Sequence, residues 1–413
     1  DANHVSLSDL KAVDLLLHHA KIEHPYPHCW RCKSPIIFRA TEQWFVSIED
    51  FREEALKAIE NVQWIPRWGI DRISNMVRER NDWCISRQRL WGVPIPIFYC
   101  EDCGEPLVNE ETVERVADLF RREGSDAWFT HEAQDILPPG TSCAACGHQS
   151  FVKEKDIMDV WFDSGSSHMA VLEQRDGLHW PADLYLEGSD QHRGWFQSSL
   201  LTSVAVRGVA PYKAVLTHGF IVDAEGRKMS KSIGNTVAPE EIIGRYGADV
   251  LRLWAASADY RADIRVSPKI LEQMSDVYRR IRNTIRFMLG NLADFHPASD
   301  LVPKDELPEI DRYILAQFYR LTERVIKAYA DYEFHTVYHA VHNFCSVDLS
   351  SFYLDVIKDR LYCDAPDSLS RRAAQTVTSE ILAGLIRLIA PILVHTAEEA
   401  WQHLPEELKD GPS

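Results

Sequence analysis

Leu184-Tyr185-Leu186-Glu187-Gly188-Ser189-Asp190-Gln191-His192-Arg193-Gly194-Trp195 reads as a β-strand that runs directly into a helix. The apolar residues come first, and Gly188 permits a close backbone approach at the turn. In an open α/β sheet such a turn lies at the carboxyl end of a strand, where the ligands of these sheets bind. A plain N-cap, with Ser189 or Asp190 satisfying free helix amides, would explain Asp190. It would not explain Glu187, Gln191, His192 and Trp195 gathered around it. Asp190 could equally accept bonds from ribose hydroxyls.

Outward from this turn, the pattern predicts strands over 158–162, 184–187 and 214–222 and a helix over about 190–206. That alternation over 157–235 reads as half of a parallel α/β sheet. The last strand leads through Gly226 into Lys228-Met229-Ser230-Lys231-Ser232, then Ile233-Gly234-Asn235, after which a helix begins. Alone, a lysine-serine string is an exposed basic loop. After a sheet strand, a small loop with two mobile point charges can close over a triphosphate and neutralise the charge that builds as pyrophosphate leaves.

The stretch from Leu216-Thr217-His218-Gly219-Phe220 through Asn235 resembles the second nucleotide motif of class I aminoacyl-tRNA synthetases. The run from Leu184 to Trp195 is similar to that of isoleucyl-tRNA synthetases of bacterial type, whereas the valine and leucine members carry different residues at this turn. The resemblance implies that Lys228 and Lys231 are catalytic and stabilise the transition state of adenylation, with Lys231 the closer to ATP and with His218 and Gly219 also binding ATP. It further implies that Glu187, Gly188, Asp190 and Gln191 contact an aminoacyl-adenylate. Trp195 would wall the amino-acid side chain. Trp161 would be a second wall, on a neighbouring strand that carries Asp159-Val160-Trp161-Phe162-Asp163-Ser164-Gly165. The implied substrates and partners are ATP with Mg2+, L-isoleucine and tRNA(Ile). Two aromatic walls reject a larger side chain, but a missing methylene is rejected only weakly; the isoleucine enzyme is itself the standard illustration, at about 150-fold. The family adds a hydrolytic editing domain, and no segment here resembles it. His24-Pro25-Tyr26-Pro27-His28-Cys29-Trp30-Arg31-Cys32 is similar to the family's segment just C-terminal to that domain.

Six of the nine cysteines form three C-x-x-C pairs. Cys100/Cys103 and Cys143/Cys146 are each followed by a glycine, which relieves a tight turn whose amides point at sulfur. Two such knuckles make a tetrahedral four-thiolate Zn2+ site. A redox role fits less well, because no thioredoxin-like unit surrounds either pair. Cys29/Cys32 has no partner pair, and some members of the resembled family complete such a site with cysteines from the first half of the catalytic domain. A mixed site using His24 and His28 is a weaker alternative. Cys84, Cys345 and Cys363 read as core cysteines.

From Pro239 onward nearly everything reads as helix, with a polar linker at 303–308. Along 278–288, Ile281, Ile285 and Met288 share one face, and Arg279, Arg282 and Arg286 share the opposite one. Such a row is commonly a solvated face, but arginines without intervening acids suit phosphate, and the resemblance implies contact with the inner corner of tRNA. In Asp82-Trp83-Cys84-Ile85-Ser86-Arg87-Gln88-Arg89-Leu90-Trp91-Gly92, Arg87 and Arg89 could meet the tRNA acceptor end or form internal salt bridges.

At 413 residues the chain suggests two to four domains. Net charge, 45 minus 62 or −17, argues against a nucleic-acid binder only weakly, since a local basic face still binds phosphate. No apolar run approaches a membrane span and no signal peptide is visible, so a cytoplasmic protein with reduced thiols is expected; a monomer is expected alongside. The expected fold class is α/β followed by all-α. Residues 1–95 form a catalytic-domain segment, 96–156 a zinc-knuckle insert, and 157–235 the second half of a Rossmann-like catalytic domain with the lysine loop. Residues 236–302 form a helical stem-contact domain, and 303–413 the start of a helical anticodon-binding domain. The His-x-Gly-His motif that the resemblance calls for is missing. The expectation is therefore a piece of an enzyme whose remainder carries that block and the editing domain, inactive by itself. The alternative is a non-catalytic tRNA- and zinc-binding synthetase-like module, and an upstream reading frame would separate the two.

Overall fold

The computed structural model describes residues 2–29, 31–230 and 234–409, so Lys231 lies outside the described residues. The chain divides into two compact units, residues 1–46 with 82–159 and residues 47–81 with 160–413.

In the first unit, Phe45–Val46 pairs antiparallel with Trp83–Cys84, and Ser86–Arg87 with Ile157–Met158. A separate antiparallel sheet places Phe98–Cys100 between Pro106–Leu107 and Phe151–Lys153. The helix Glu110–Glu123 starts at Asn109, whose side chain accepts the Thr112 amide at 3.0 Å while Thr112 Oγ1 accepts the Asn109 amide at 3.1 Å. This reciprocal cap satisfies two amides that the first turn would otherwise strand. Val116 and Leu119 of that helix share a small core with Phe98, Trp128 and Ile136.

The second unit holds the parallel sheet. Strands β1 (Gln63–Ile65), β2 (Ala182–Gly188) and β3 (Tyr212–His218) lie in the order β1-β3-β2. Central β3 buries Ala214, Val215 and Leu216 in succession, as a strand covered on both faces must. Thr217 lies opposite Glu187 and His218 opposite Gly188, so the carboxyl ends of β2 and β3 finish together.

The structure departs from three of the sequence expectations. The helix expected over 190–206 is a tight 3₁₀ turn, Ser189–Arg193, followed by α1 (Trp195–Arg207); Gly194 between them has a non-helical backbone. The strand expected at 158–162 ends at Met158, and Val160–Gly165 is helical. Trp161 and Phe162 suit a strand by propensity, but the segment packs onto α1. A Cβ at Gly165 would stand 2.8 Å from the Ser198 carbonyl oxygen, so tertiary packing overrides propensity. The strand expected at 214–222 is broken after His218, and Ile221–Val222 pairs instead with Ile264–Arg265.

The rest of this unit is almost wholly helical: α2 (Pro239–Tyr246), α3 (Ala248–Ser257), α4 (Pro268–Gly290), α5 (Glu309–Ala330), α6 (Phe334–Asn343), a π-helical run Phe344–Tyr353, α7 (Leu369–Ile389) and α8 (Val394–Gln402). Proline opens α2 and α4, where its fixed φ suits the helix and its missing amide costs nothing. Ile281, Ile285, Met288, Phe318, Val325 and Ile381 belong to one core. Two polar ties cross it. Asp311, wholly buried, meets Arg360 Nη2 at 2.6 Å and accepts the Tyr353 hydroxyl at 2.6 Å. Asp249, near the start of α3, accepts the amide and hydroxyl of Thr396 at the start of α8, at 2.7 and 2.6 Å. Arg252 adds bonds to the Pro391 and Ile392 carbonyls, each at 2.8 Å. Among the described residues, no helix is long and apolar enough to cross a membrane.

Candidate functional site

The site is assembled where β2 and β3 end. Glu187 Oε2 accepts the Gly188 amide at 2.8 Å and lies 3.8 Å from His218 Nε2. His218 Nδ1 donates to the Gly219 carbonyl at 2.7 Å, which fixes the ring. A Cβ at Gly188 would stand 2.9 Å from Asp190 Oδ1 and 3.5 Å from the Phe220 ring, and one at Gly219 would stand 2.4 Å from the Ala262 carbonyl. Both glycines are therefore places of close backbone approach. Gln191 bridges the turn: its Nε2 donates to Asp190 Oδ2 at 3.1 Å and its Oε1 accepts the Trp195 amide at 3.0 Å. Gln191 thus caps α1, which leaves the exposed Asp190 carboxylate free of the N-cap task that a simple helix start would give it.

The two tryptophans are placed differently. Trp195 stacks on buried Tyr185, with centroids 3.9 Å apart and planes 10° apart. Its indole N–H reaches the Ser164 carbonyl at 3.1 Å and Ser167 Oγ at 3.2 Å. Trp161 is 42% exposed, and its ring comes within 3.0 Å of the point where a Gly194 Cβ would lie, beside Gln191.

The lysine loop is held at its base by two residues that sequence reasoning passed over. Buried Asp223 accepts the amides of Glu225 and Arg227, Arg227 Nε at 2.9 Å and Asn235 Nδ2 at 2.9 Å. The Asn235 bond, with those of Arg227, holds the Asp223 carboxyl down to about 2. Asn235 Oδ1 in turn accepts the Ser230 amide at 2.9 Å, so one side chain joins both ends of the loop. The available signal was Asp223 three residues before Gly226, a turn-forming spacing. Lys228 Nζ stands 5.0 Å from the centroid of Phe220, the ring that faces Gly188. Lys228 is thereby brought to the same end of the sheet as Glu187, Asp190 and His218.

In the first unit, the Sγ atoms of Cys100, Cys103, Cys143 and Cys146 lie within 4.8 Å of one another, with contacts of 3.6 and 3.5 Å. Four thiolates at about 2.3 Å from one zinc require sulfur–sulfur edges of roughly 3.8 Å, so the cluster fits that ion. Amides of Cys146 and Ala145 point at the Cys143 sulfur and lower its pKa to about 7, whereas Cys103 and Cys146 are pushed up among the crowded sulfurs, so Cys143 is the readiest of these three to become a thiolate. The Gly104 and Gly147 amides close the knuckles onto the Cys100 and Cys143 carbonyls, at φ +73° and +77°. Cys29/Cys32 repeats this backbone: Lys33 donates to the Cys29 carbonyl at 2.8 Å with φ +61°. His24 and His28 bond to the nearby Pro25 and Tyr26 carbonyls, and no metal-type cluster includes them among the described residues. Only Cys345 of the three remaining cysteines is fully buried; Cys84 is half-buried, and Cys363, expected in the core, is exposed at the end of a short helix.

Arg279, Arg282 and Arg286 are exposed on α4 as expected. Acids nevertheless meet two of them: Asp276 bonds Arg279, and both carboxylate oxygens of Glu399 take Arg282 at 3.0 Å. Arg87 pairs with Asp159 at 3.2 Å and also bonds the Cys84 and Ser86 carbonyls, the internal alternative for that residue.

The chain is similar to known proteins over nearly its whole length. Over 412 residues the chain is 64% identical to a protein of Carboxydothermus hydrogenoformans described as isoleucine--tRNA ligase, covering 99% of this chain and 44% of that protein. A protein of Caldanaerobacter subterraneus with the same description is 63% identical over 407 residues, 98% of this chain and 44% of the relative. The chain thus spans less than half the length of these curated relatives. The structure of Mycobacterium tuberculosis methionyl-tRNA synthetase in complex with methionyl-adenylate shares the fold, with a TM-score of 0.63 at 18% identity over 91% of this chain and 65% of that one. Residues 311–413 match the anticodon-binding domain of tRNA ligase. Residues 4–267, which carry the sheet, the lysine loop and the cysteine knuckles, match tRNA synthetases class I (I, L, M and V), and the chain belongs to that family.

Proposed function

We propose that this chain is the part of an isoleucine--tRNA ligase that closes over ATP, holds the adenylate and begins the tRNA-binding region. The observation that carries this reading is the common end of β2 and β3, where Glu187, Asp190 and His218 gather around Gly188 and Gly188 faces the Phe220 ring that supports Lys228. In the proposed reaction a carboxylate oxygen of L-isoleucine attacks the α-phosphorus of ATP. The bond to the bridging β-phosphate oxygen breaks, and pyrophosphate leaves. Lys228 and Lys231 neutralise the charge that gathers on the departing phosphates. His218 and Gly219 border the nucleotide; Glu187, Gly188, Asp190 and Gln191 position the adenylate. A terminal ribose hydroxyl of tRNA(Ile) then attacks the isoleucyl carbonyl and AMP leaves. Mg2+ would travel with ATP.

Trp195 and Trp161 would wall the amino-acid side chain, Trp161 the more exposed of the two and Trp195 held by its stack on Tyr185. Cys100, Cys103, Cys143 and Cys146 would hold a structural Zn2+ with no open position. Arg279, Arg282 and Arg286 would meet tRNA phosphates, with Arg279 and Arg282 first exchanging their acidic partners. The setting is a cytoplasmic monomer.

The test grafts residues 1–413 into the Carboxydothermus hydrogenoformans relative in place of its matching segment and measures ATP–pyrophosphate exchange. Isoleucine-dependent exchange near the parent's rate is expected. A folded chimera that exchanges with leucine or methionine and not with isoleucine would overturn the assignment.

A further inference from the structure

Gly194 stands between the turn Ser189–Arg193 and α1, and two backbone bonds pin it there. Its amide donates to the Gln191 carbonyl at 3.1 Å, and its carbonyl accepts the Ser198 amide at 2.9 Å. The space beside it is already filled. A Cβ at Gly194 would stand 2.5 Å from Gln191 Oε1 and 3.0 Å from both Cη2 and Cζ3 of the Trp161 ring. Carbon atoms in ordinary contact stand about 3.5–4.0 Å apart, so both side chains occupy the volume of the methyl that glycine lacks. Gly165, at the far end of the same short helix as Trp161, lies as tightly against Ser198 of α1. Two glycines thus seat the Val160–Gly165 helix on the start of α1. The neighbours of Gly194 differ in how firmly they are held. The Gln191 carboxamide is tied at both ends, to Asp190 Oδ2 and to the Trp195 amide. The Trp161 indole has no hydrogen-bond partner among the described residues and is 42% exposed, so packing alone sets its place.

We infer that Gly194 is a specificity-determining position: by lacking a side chain it sets how closely the Trp161 ring and the Gln191 carboxamide approach, and so the width of the pocket that receives the amino-acid side chain. It acts through those two residues and is a positioning residue. Gly194 has this role only within the synthetase reading, which puts Trp161 and Gln191 beside the aminoacyl group. A methyl at Gly194 must move the ring by about 0.5–1 Å, a displacement that forfeits roughly a quarter to a half of the attraction across a fitted contact. A wall that advances clashes with the larger side chain, and a wall that retreats loses its contact. In both cases isoleucine loses more than valine, because its additional methylene is the group that fills the pocket.

The test measures isoleucine- and valine-dependent ATP–pyrophosphate exchange in the chimera carrying Gly194→Ala, Trp161→Phe or both. Gly194→Ala is expected to raise the Michaelis constant for isoleucine about tenfold, while the turnover number and the Michaelis constant for ATP stay within about threefold. The isoleucine-over-valine ratio of kcat/KM should fall by about threefold or more. Phenylalanine at 161 lacks the outer edge of the indole, so in the Trp161→Phe background Gly194→Ala should cost no more than about a third as much. A Gly194→Ala chimera that matches the parent in both constant and ratio overturns this role and leaves the synthetase reading standing, as does an equal cost in both backgrounds. A Gly194→Ala protein that fails to fold is judged by the double variant: recovery of the parent's melt through Trp161→Phe supports the steric assignment, and no recovery overturns it. A folded parent chimera without isoleucine-dependent exchange brings down the synthetase reading itself, and the role of Gly194 with it.

Discussion

The carboxylate of Asp311 and the guanidinium of Arg360 meet at 2.6 Å in the helical core, with Asp311 wholly buried and Tyr353 donating to its other oxygen. Arg360 also bonds the Ser370 carbonyl at 2.6 Å. Four helical segments, those of Asp311, Tyr353, Arg360 and Ser370, therefore meet at one charge pair. Removing one member leaves the other without compensation, which costs more than the pair contributes intact.

Asp311→Ala is accordingly expected to destabilise the chain by about 3–5 kcal/mol, read as a lower urea midpoint. The double variant Asp311→Leu/Arg360→Met should recover much of that loss. A double variant as unstable as the sum of the singles would contradict the coupling.

The chain purified without chelator should carry about one zinc, the complement of a single four-thiolate site. Cys146→Ser should abolish it and loosen the small core around Phe98 and Trp128, seen as faster amide exchange in Glu110–Glu123. Cys32→Ser should leave the stoichiometry unchanged.

In the chimera, Lys231→Ala and Lys228→Ala should each lower the exchange turnover by roughly 10²–10³, the usual effect of removing one transition-state charge contact. The Michaelis constant for isoleucine should hardly move. A large rise in that constant at unchanged turnover would contradict the assigned role.

The tether at the base of the lysine loop should be sensitive to acid. The Asp223 carboxyl is held down to about 2 by Asn235 and Arg227, below the ordinary aspartate value of about 3.9. Its contribution is therefore complete above about pH 4 and lost as pH falls through about 2. The side-chain amide resonances of Asn235 should report that titration, and Asp223→Asn should remove it.

The two tryptophans should separate by kind of defect. Trp161→Ala, at an exposed ring, should leave the melt nearly unchanged and raise the isoleucine Michaelis constant of the chimera. Trp195→Ala removes a stacked, hydrogen-bonded ring and should cost about 3 kcal/mol or more. Equal stability losses would refute this division.

The turn at Gly188 and the loop at Lys228 were legible because glycine, acids and lysines punctuate the chain locally. The helix Val160–Gly165 was not, because a short aromatic and β-branched run suits either structure until its packing partner is known. Arg282 looked free because Glu399, its partner, lies 117 residues away in sequence. The cysteine knuckles were readable from spacing, but the matching turn at Lys33 was masked by a residue that seldom adopts positive φ.

The Asp249–Thr396 tie changes what the polar stretch before α5 means. A protease that nicked the chain between residues 301 and 308 would not release its halves, because Asp249 and Arg252 would still grip the start of α8 and the carbonyls before it. The nicked pieces should migrate together in gel filtration and separate only in denaturant. Heat should melt them in one transition, so the seam visible in composition is no boundary of mechanical independence.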